Sequence, residues 1–233
     1  MKLHELLQGI EVLEQNADPE LELTGVSYDS RSTAPGELFA AISGYATDGH
    51  RFIPAALARG AACVLCEHDM PEHTPWVRVR DARAALAQLG CNWFGHPAER
   101  LCMIGVTGTN GKTTVTCLVK HVLEQTLGAK VGLIGTIENR IGDTVLPTER
   151  TTPESFALQG LLRQMLDALE AFAAGVVDRL LILLHPPDVL LERDELFLRR
   201  RPEQQQILEQ LLVLTVIVVH PEFQLKAKVL EEG

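Results

Sequence analysis

Gly105-Val-Thr-Gly-Thr-Asn-Gly-Lys-Thr-Thr114 lies between an apolar run, Leu101–Thr107, and a helical pattern. In that pattern Val115, Leu118, Val119, Val122 and Leu123 recur at the spacing of one helix face. Gly128 ends the helix, and Lys130–Ile134 supplies the next strand. Strand, glycine-rich turn, helix and strand make a βαβ unit, which predicts a parallel sheet with helices against its faces.

The turn has the composition of a phosphate-binding loop. Backbone N–H groups at a helix N-terminus point at an anion, and glycines let the backbone approach its oxygens. Lys112 would reach the β- and γ-phosphates, and the Thr113 hydroxyl would sit on a magnesium ion. The strict pattern G-x-x-x-x-G-K-[ST] requires glycine at position 106, where this chain has Val106. The competing reading is a structural strand–helix turn with an incidental lysine. The Lys-Thr pair and its flanking strand and helix favour the phosphate loop.

Toward the N-terminus, short apolar runs alternate with helical patterns. Leu38–Ile42, Ala62–Cys66 and Trp76–Val79 read as strands. Phe52, Ala55, Ala56 and Ala58 suggest a helix stopped by Gly60, and Asp81 an N-cap for a helix burying Ala82, Ala85, Leu86, Leu89 and Trp93. Gly95-His96-Pro97 breaks that helix and marks a boundary. Beyond the loop, Thr152-Pro153 opens a further helix, Thr as cap and Pro at its first position, with Leu158, Leu161, Leu162, Met165 and Leu166 on its face. The expected class is α/β: a small N-terminal α/β domain over 1–100, then a P-loop-type parallel-sheet domain begun over 101–167.

Composition narrows the function. The chain has 233 residues, 46% hydrophobic, enough for a sizeable core. At ~150 residues per domain this length amounts to about one and a half domains. With 21 basic residues against 31 acidic the net charge is −10, which argues against a general nucleic-acid or membrane-surface binder. The longest apolar run, Leu211–Val219, falls short of the ~18–20 residues that span a bilayer. Met1–Ile10 lacks a signal peptide's apolar stretch, so a cytoplasmic location is expected. The cysteines (63, 66, 91, 102 and 117) are odd in number and fit a reducing compartment. Cys63 and Cys66 form a lone CxxC with no second ligand pair and read as buried strand residues. His50, His68, His73, His96 and His121 show no catalytic or metal-ligand spacing and read as surface or structural.

Thr107-Gly-Thr-Asn-Gly-Lys-Thr-Thr114 resembles the nucleotide loop of the Mur ligases, ATP-dependent amide-forming enzymes of peptidoglycan synthesis. Three more segments resemble the muramoyl-tripeptide synthetase branch of that family. They are Tyr28–Gly44, Asp48–Ala61, and Gly132–Thr136 followed by Pro147–Pro153. The loop alone would also suit a folylpolyglutamate-synthase-like ligase, but the N-terminal segments resemble a UDP-sugar domain. The resemblance implies that Gly108, Thr109, Asn110, Gly111, Lys112, Thr113 and Thr114 bind ATP, with magnesium at Thr113. It implies that Tyr28, Ser30, Tyr45, Ala46 and Thr47 contact the UDP part of the substrate. Thr151 and Thr152 would touch the muramoyl-peptide part. Taken alone, Asp29-Ser30-Arg31 reads as a polar turn and Thr151-Thr152-Pro153 as a helix cap.

The implied reaction begins when the carboxylate of UDP-N-acetylmuramoyl-L-alanyl-D-glutamate attacks the γ-phosphoryl of ATP. The resulting acyl phosphate is attacked by the amine of diaminopimelate or lysine, giving an amide, ADP and phosphate. Lys112 is the candidate catalytic residue, neutralising charge as two anions approach. A monomer is expected.

The resemblance stops near Asp167. Residues 168–233 contain 15 leucines and 2 glycines, against 16 glycines in residues 1–167. The family's Glu and Ser-Ser-His continuation, and its carbamylated lysine, have no counterpart there. We read this leucine-rich tail as a shifted frame or a foreign replacement, and the chain as a truncated ligase or a non-catalytic ATP- and UDP-sugar-binding fragment. Leu180–Leu184 and Leu211–Val219 are its strand-like runs, available to complete the second sheet. Translating the encoding DNA in the other two frames after codon 167 is expected to restore a Glu-Ser-Ser-His-like continuation. Its absence from both frames would refute the frameshift.

Overall fold

The structure is a computed structural model that describes residues 1–44, 47–71, 73–106, 110–127, 130–135, 137–146, 153–180 and 215–219. The described residues form two compact units. One comprises Met1–Pro97 with Glu154–Arg163, and the other Ala98–Pro153 with Gln164–Gly233.

The first unit is built on a five-stranded sheet: β1 (Val12–Gln15), β2 (Gly25–Ser27), β3 (Glu37–Ala40), β4 (Cys63–Cys66) and β5 (Trp76–Val79). The spatial order is β1-β5-β4-β3-β2. The β2–β3, β3–β4 and β4–β5 ladders are parallel, and β1 closes the edge antiparallel to β5. Side chains along a strand alternate between faces, so the apolar runs of β3 and β4 feed two cores. Leu38, Ala40, Cys63, Leu65, Val77 and Val79 enter one, which is completed by Leu3 and Leu6 of α1 (Leu3–Leu6) and by Ala82, Ala85, Leu86 and Leu89 of α3 (Ala82–Phe94). Phe39, Val64, Cys66 and Trp76 enter the other, with Ile53 and Ala56 of α2 (Ile53–Ala58).

The expected helix signals are present. The Asp81 carboxylate caps α3 by accepting from the N–H groups of Arg83 and Ala84, both at 2.9 Å. The helix ends where Gly95 and His96 take left-handed backbone, φ +71° and +52°. The expected helix around Phe52 divides into a 3₁₀ turn, Gly49–Phe52, and α2.

The second unit contains β6 (Cys102–Val106), α4 (Lys112–Leu127), β7 (Val131–Ile134), β8 (Asn139–Ile141), β9 (Thr144–Leu146) and β10 (Thr215–Val219). Here β6 and β7 run in the same direction, as a βαβ unit requires, but share no ladder. Between them lies β10, from the leucine-rich tail and antiparallel to both. The tail run thus fills the gap in the sheet. The parallel ladders expected here are replaced by antiparallel ones, because the strand available to pair enters from the opposite direction. Of the other strand-like run, Leu180 ends α5 and residues 181–184 fall outside the described residues. Helix α5 (Ser155–Leu180) begins later than expected, the N–H of Leu158 donating to the Glu154 carbonyl. It buries Leu162, Met165, Leu166 and Leu169.

The face expected to bury α4 is turned inward only at half-buried Val119 and Leu123. Val115, Leu118 and Val122 are 45%, 59% and 53% exposed, whereas Thr116 and Lys120 are buried. That polar face can be buried because its groups have partners. The Thr116 hydroxyl donates to the carbonyls of Lys112 and Thr113, and the Lys120 ammonium is held 2.7 Å from both oxygens of Glu124.

Core and α4 positions should therefore respond differently to truncation. Leu65→Ala, at a fully buried position, is expected to lower the unfolding free energy by ~2–5 kcal/mol in urea titrations. Leu118→Ala is expected to change it by no more than ~0.5 kcal/mol.

Candidate functional site

In the first unit the parallel strands β2, β3 and β4 end on one edge, where α/β proteins build ligand sites. Tyr28 and Ser30 follow β2, the bridged pair Ser43 and Asp48 follows β3, and Glu67 follows β4. The sheet thus brings Tyr28, Ser30 and Thr47 to a common edge, although they are far apart in sequence.

Tyr28 is half-buried against the core, its ring edge-on to Phe156 at 6.4 Å. Phe156 in turn packs on Phe94 at 5.1 Å. Ser30 is buried within a tight turn. The Asp29 carboxylate accepts from the Arg31 backbone N–H at 2.9 Å and pairs with its guanidinium at 2.6 Å. That pairing raises the arginine's pKa further, through the hydrogen bond and then the opposite charge. Thr47 is exposed at the turn, and its carbonyl accepts from the Gly44 N–H at 3.1 Å. Tyr45 and Ala46 fall outside the described residues.

Sequence reading missed the network that fixes this turn. The Asp48 carboxylate accepts from the His50 backbone N–H at 3.0 Å and from its ring Nδ1 at 2.7 Å. These contacts, the backbone one first, hold Asp48 below the usual carboxylate range. The Glu67 N–H donates to His50 Nε2 at 2.9 Å, and the Glu67 carboxylate accepts from Ser43 Oγ at 2.8 Å and from the Ala82 N–H at 2.9 Å. The His68 ring packs 4.5 Å from that of His50, and Asp48, His50 and His68 offer ligand atoms within 4.8 Å of one another. His50 and His68 are 18 positions apart with no metal-ligand spacing, so the only sequence-level signal was the Asp-x-His pair.

In the second unit, β6 leads into the loop and α4 starts at Lys112. Gly111 has φ +78°, a backbone conformation that favours glycine, and a Cβ there would meet none of the described residues within 4 Å. Its carbonyl accepts from the Val115 N–H at 2.9 Å, which closes the first turn of α4. Asn110, Gly111 and Thr114 are exposed, and Lys112 and Thr113 half-buried. This arrangement fits a polyphosphate, with Lys112 as counter-charge and Thr113 offering a hydroxyl to a magnesium ion. Gly108, Thr109, Thr151 and Thr152 fall outside the described residues.

The CxxC pair is structural. Cys63 and Cys66 point into opposite cores of the first sheet and neither forms a disulfide. Burial pushes the Cys63 thiol up to about 12 and that of Cys66 to about 11.

The family described as the Mur ligase family, catalytic domain, matches residues 22–93, and the Mur ligase middle domain matches residues 106–176. Over these residues the chain belongs to the Mur ligase family. More narrowly, it is 44% identical over 169 residues to the UDP-N-acetylmuramoyl-L-alanyl-D-glutamate–2,6-diaminopimelate ligase of Alkaliphilus metalliredigens, a match covering 72% of this chain and 34% of that protein. It is 43% identical over 190 residues to the ligase of the same name from Caldanaerobacter subterraneus subsp. tengcongensis, covering 81% and 39%. A solved structure of a ligase with that name superposes with a TM-score of 0.55 at 23% identity, over 72% of this chain and 34% of that one. The chain thus spans little more than a third of the length of these relatives. Among the described residues no helix is long and apolar enough to cross a membrane.

The raised thiol values have a defined sign. The native state keeps Cys63 and Cys66 protonated above the ordinary thiol value of 9.0, where the unfolded chain loses those protons. Their contribution to stability is intact below pH 9.0 and is lost progressively as pH rises toward about 12. At pH 8 a maleimide is expected to label exposed Cys117 and leave Cys63 and Cys66 unmodified until denaturant is added, as peptide mass mapping would report.

Proposed function

We propose that this chain carries the UDP-substrate and ATP-binding elements of a cytoplasmic ligase that adds a diamino acid to UDP-N-acetylmuramoyl-L-alanyl-D-glutamate. The observation that carries this reading is that Gly111-Lys112-Thr113-Thr114 opens α4 after β6, within residues of the Mur ligase middle domain. The names of the relatives support the substrate pair.

In this reading residues 1–100 form the UDP-sugar domain and 101–167 the start of the ATP-binding domain. Tyr28, Ser30, Tyr45, Ala46 and Thr47 bind the UDP part, while Thr151 and Thr152 meet the muramoyl-peptide. Gly108–Thr114 bind ATP. Lys112 offsets phosphate charge, and Thr113 helps hold magnesium, which supplies further charge neutralisation when bound. These groups serve the transfer of a phosphoryl group to the substrate carboxylate and the displacement of phosphate by an amine. A second reading, a fragment that binds without ligating, is favoured by residues 168–233, which carry no counterpart of the family's later motifs.

Calorimetric titration of the 233-residue chain with ATP and magnesium tests the loop. Binding is expected, and Lys112→Ala is expected to abolish it; equal affinity in the variant would overturn the assignment. With ATP, UDP-N-acetylmuramoyl-L-alanyl-D-glutamate and diaminopimelate or lysine, little amide formation is expected. Turnover at an ordinary enzymatic rate would exclude the second reading.

A further inference from the structure

The turn after β3 is crowded at its neck. Ser43 bridges Asp48, and the Gly49 N–H donates to the Ile42 carbonyl at 2.9 Å. A Cβ on Gly49 would lie 2.6 Å from that carbonyl oxygen, so only glycine allows the chain to return so closely. Such a turn needs outside anchors, and both anchors converge on Glu67. Its carboxylate holds Ser43 on the outgoing limb, while its backbone N–H holds His50 beyond the returning one.

The hydrogen bonds of His50 select its tautomer. Because the Glu67 N–H donates to Nε2, Nε2 carries no proton, and the Nδ1 proton is donated to Asp48 Oδ1. A neutral imidazole has one lone pair, and here it is already used. The nearby Asp48 and His68 therefore do not make a ready cation site, since a metal would have to break one of the two His50 bonds. With a side chain only 10% exposed, the ring acts as a fixed strut between the turn and the end of β4.

We propose that His50, as the Nδ1–H tautomer, is a positioning residue that holds Asp48, and with it the adjoining Thr47, in the geometry that receives the uridine diphosphate group. The assignment to that ligand rests on the function proposed above; the strut itself does not.

The test compares wild type with His50→Phe, His50→Gln and Asp48→Asn in the full chain. Long-range proton–nitrogen correlation spectra are expected to show the Nδ1–H tautomer in wild type. His50→Phe is expected to speed exchange of the Gly44 and Gly49 amides by roughly tenfold and to weaken UDP-N-acetylmuramoyl-L-alanyl-D-glutamate by a similar factor, as removal of a buried hydrogen-bond partner does. ATP affinity should not change. His50→Gln, which keeps an acceptor for the Glu67 N–H, should restore both readouts to within about threefold of wild type. Should His50→Phe fail to fold, Asp48→Asn replaces it and is expected to move both readouts in the same direction by a smaller factor. An Nε2–H tautomer, or unchanged amide exchange and affinity in the variants, would overturn the inference. If wild type does not bind the UDP compound while the amides respond as expected, the strut stands and the substrate reading falls.

Discussion

A parallel sheet is tolerated only when both of its faces are covered, and the first unit follows from that constraint. Strands β3 and β4 have no polar face to offer water, since every residue of Cys63–Cys66 is buried. Helices must therefore pack on each side, and the connections that carry them leave β2, β3 and β4 ending on one edge. The candidate UDP site is a consequence of that arrangement. Tyr28, Thr47 and Glu67 lie along one edge because the strands they follow are neighbours in the sheet.

In the second unit the governing constraint is the pairing of backbone groups. A strand between β6 and β7 must satisfy the backbone groups of both, and β10 does so from the antiparallel direction. Helix α4 then turns Thr116 and Lys120 inward. Burial of a lysine is normally costly, but Glu124 lies one turn away and neutralises it. Val115, Leu118 and Val122 are left on the solvent side.

The two candidate sites are built differently. The start of α4 carries half-buried Lys112 and Thr113. The β2–β3–β4 edge is fixed by hydrogen bonds among its own side chains and backbone. Asp29, Asp48 and Glu67 are spent on internal hydrogen bonds that fix turns, which orients neighbouring backbone without presenting a cation.

Much of this was legible in the residues alone. Local rules mark the Asp81 cap, the Gly95-His96 break, the apolar runs of β3 to β5 and the glycine-lysine-threonine start of α4, because each depends on neighbours within a few positions. Periodicity also grouped Val115, Leu118 and Val122 on one face of α4, but it could not say whether that face turns inward, which depends on what the sheet offers. The direction of β10 and the meeting of Ser43, Asp48 and His50 with Glu67 belong to the same class. They are set by contacts between distant segments, and pairings of that kind leave no trace in the spacing of a single sequence. The sequence by itself determined the α/β class and the family. Only the tertiary structure decided which helix face is buried and what holds Asp48 and Ser43, because both are settled by packing against residues far along the chain.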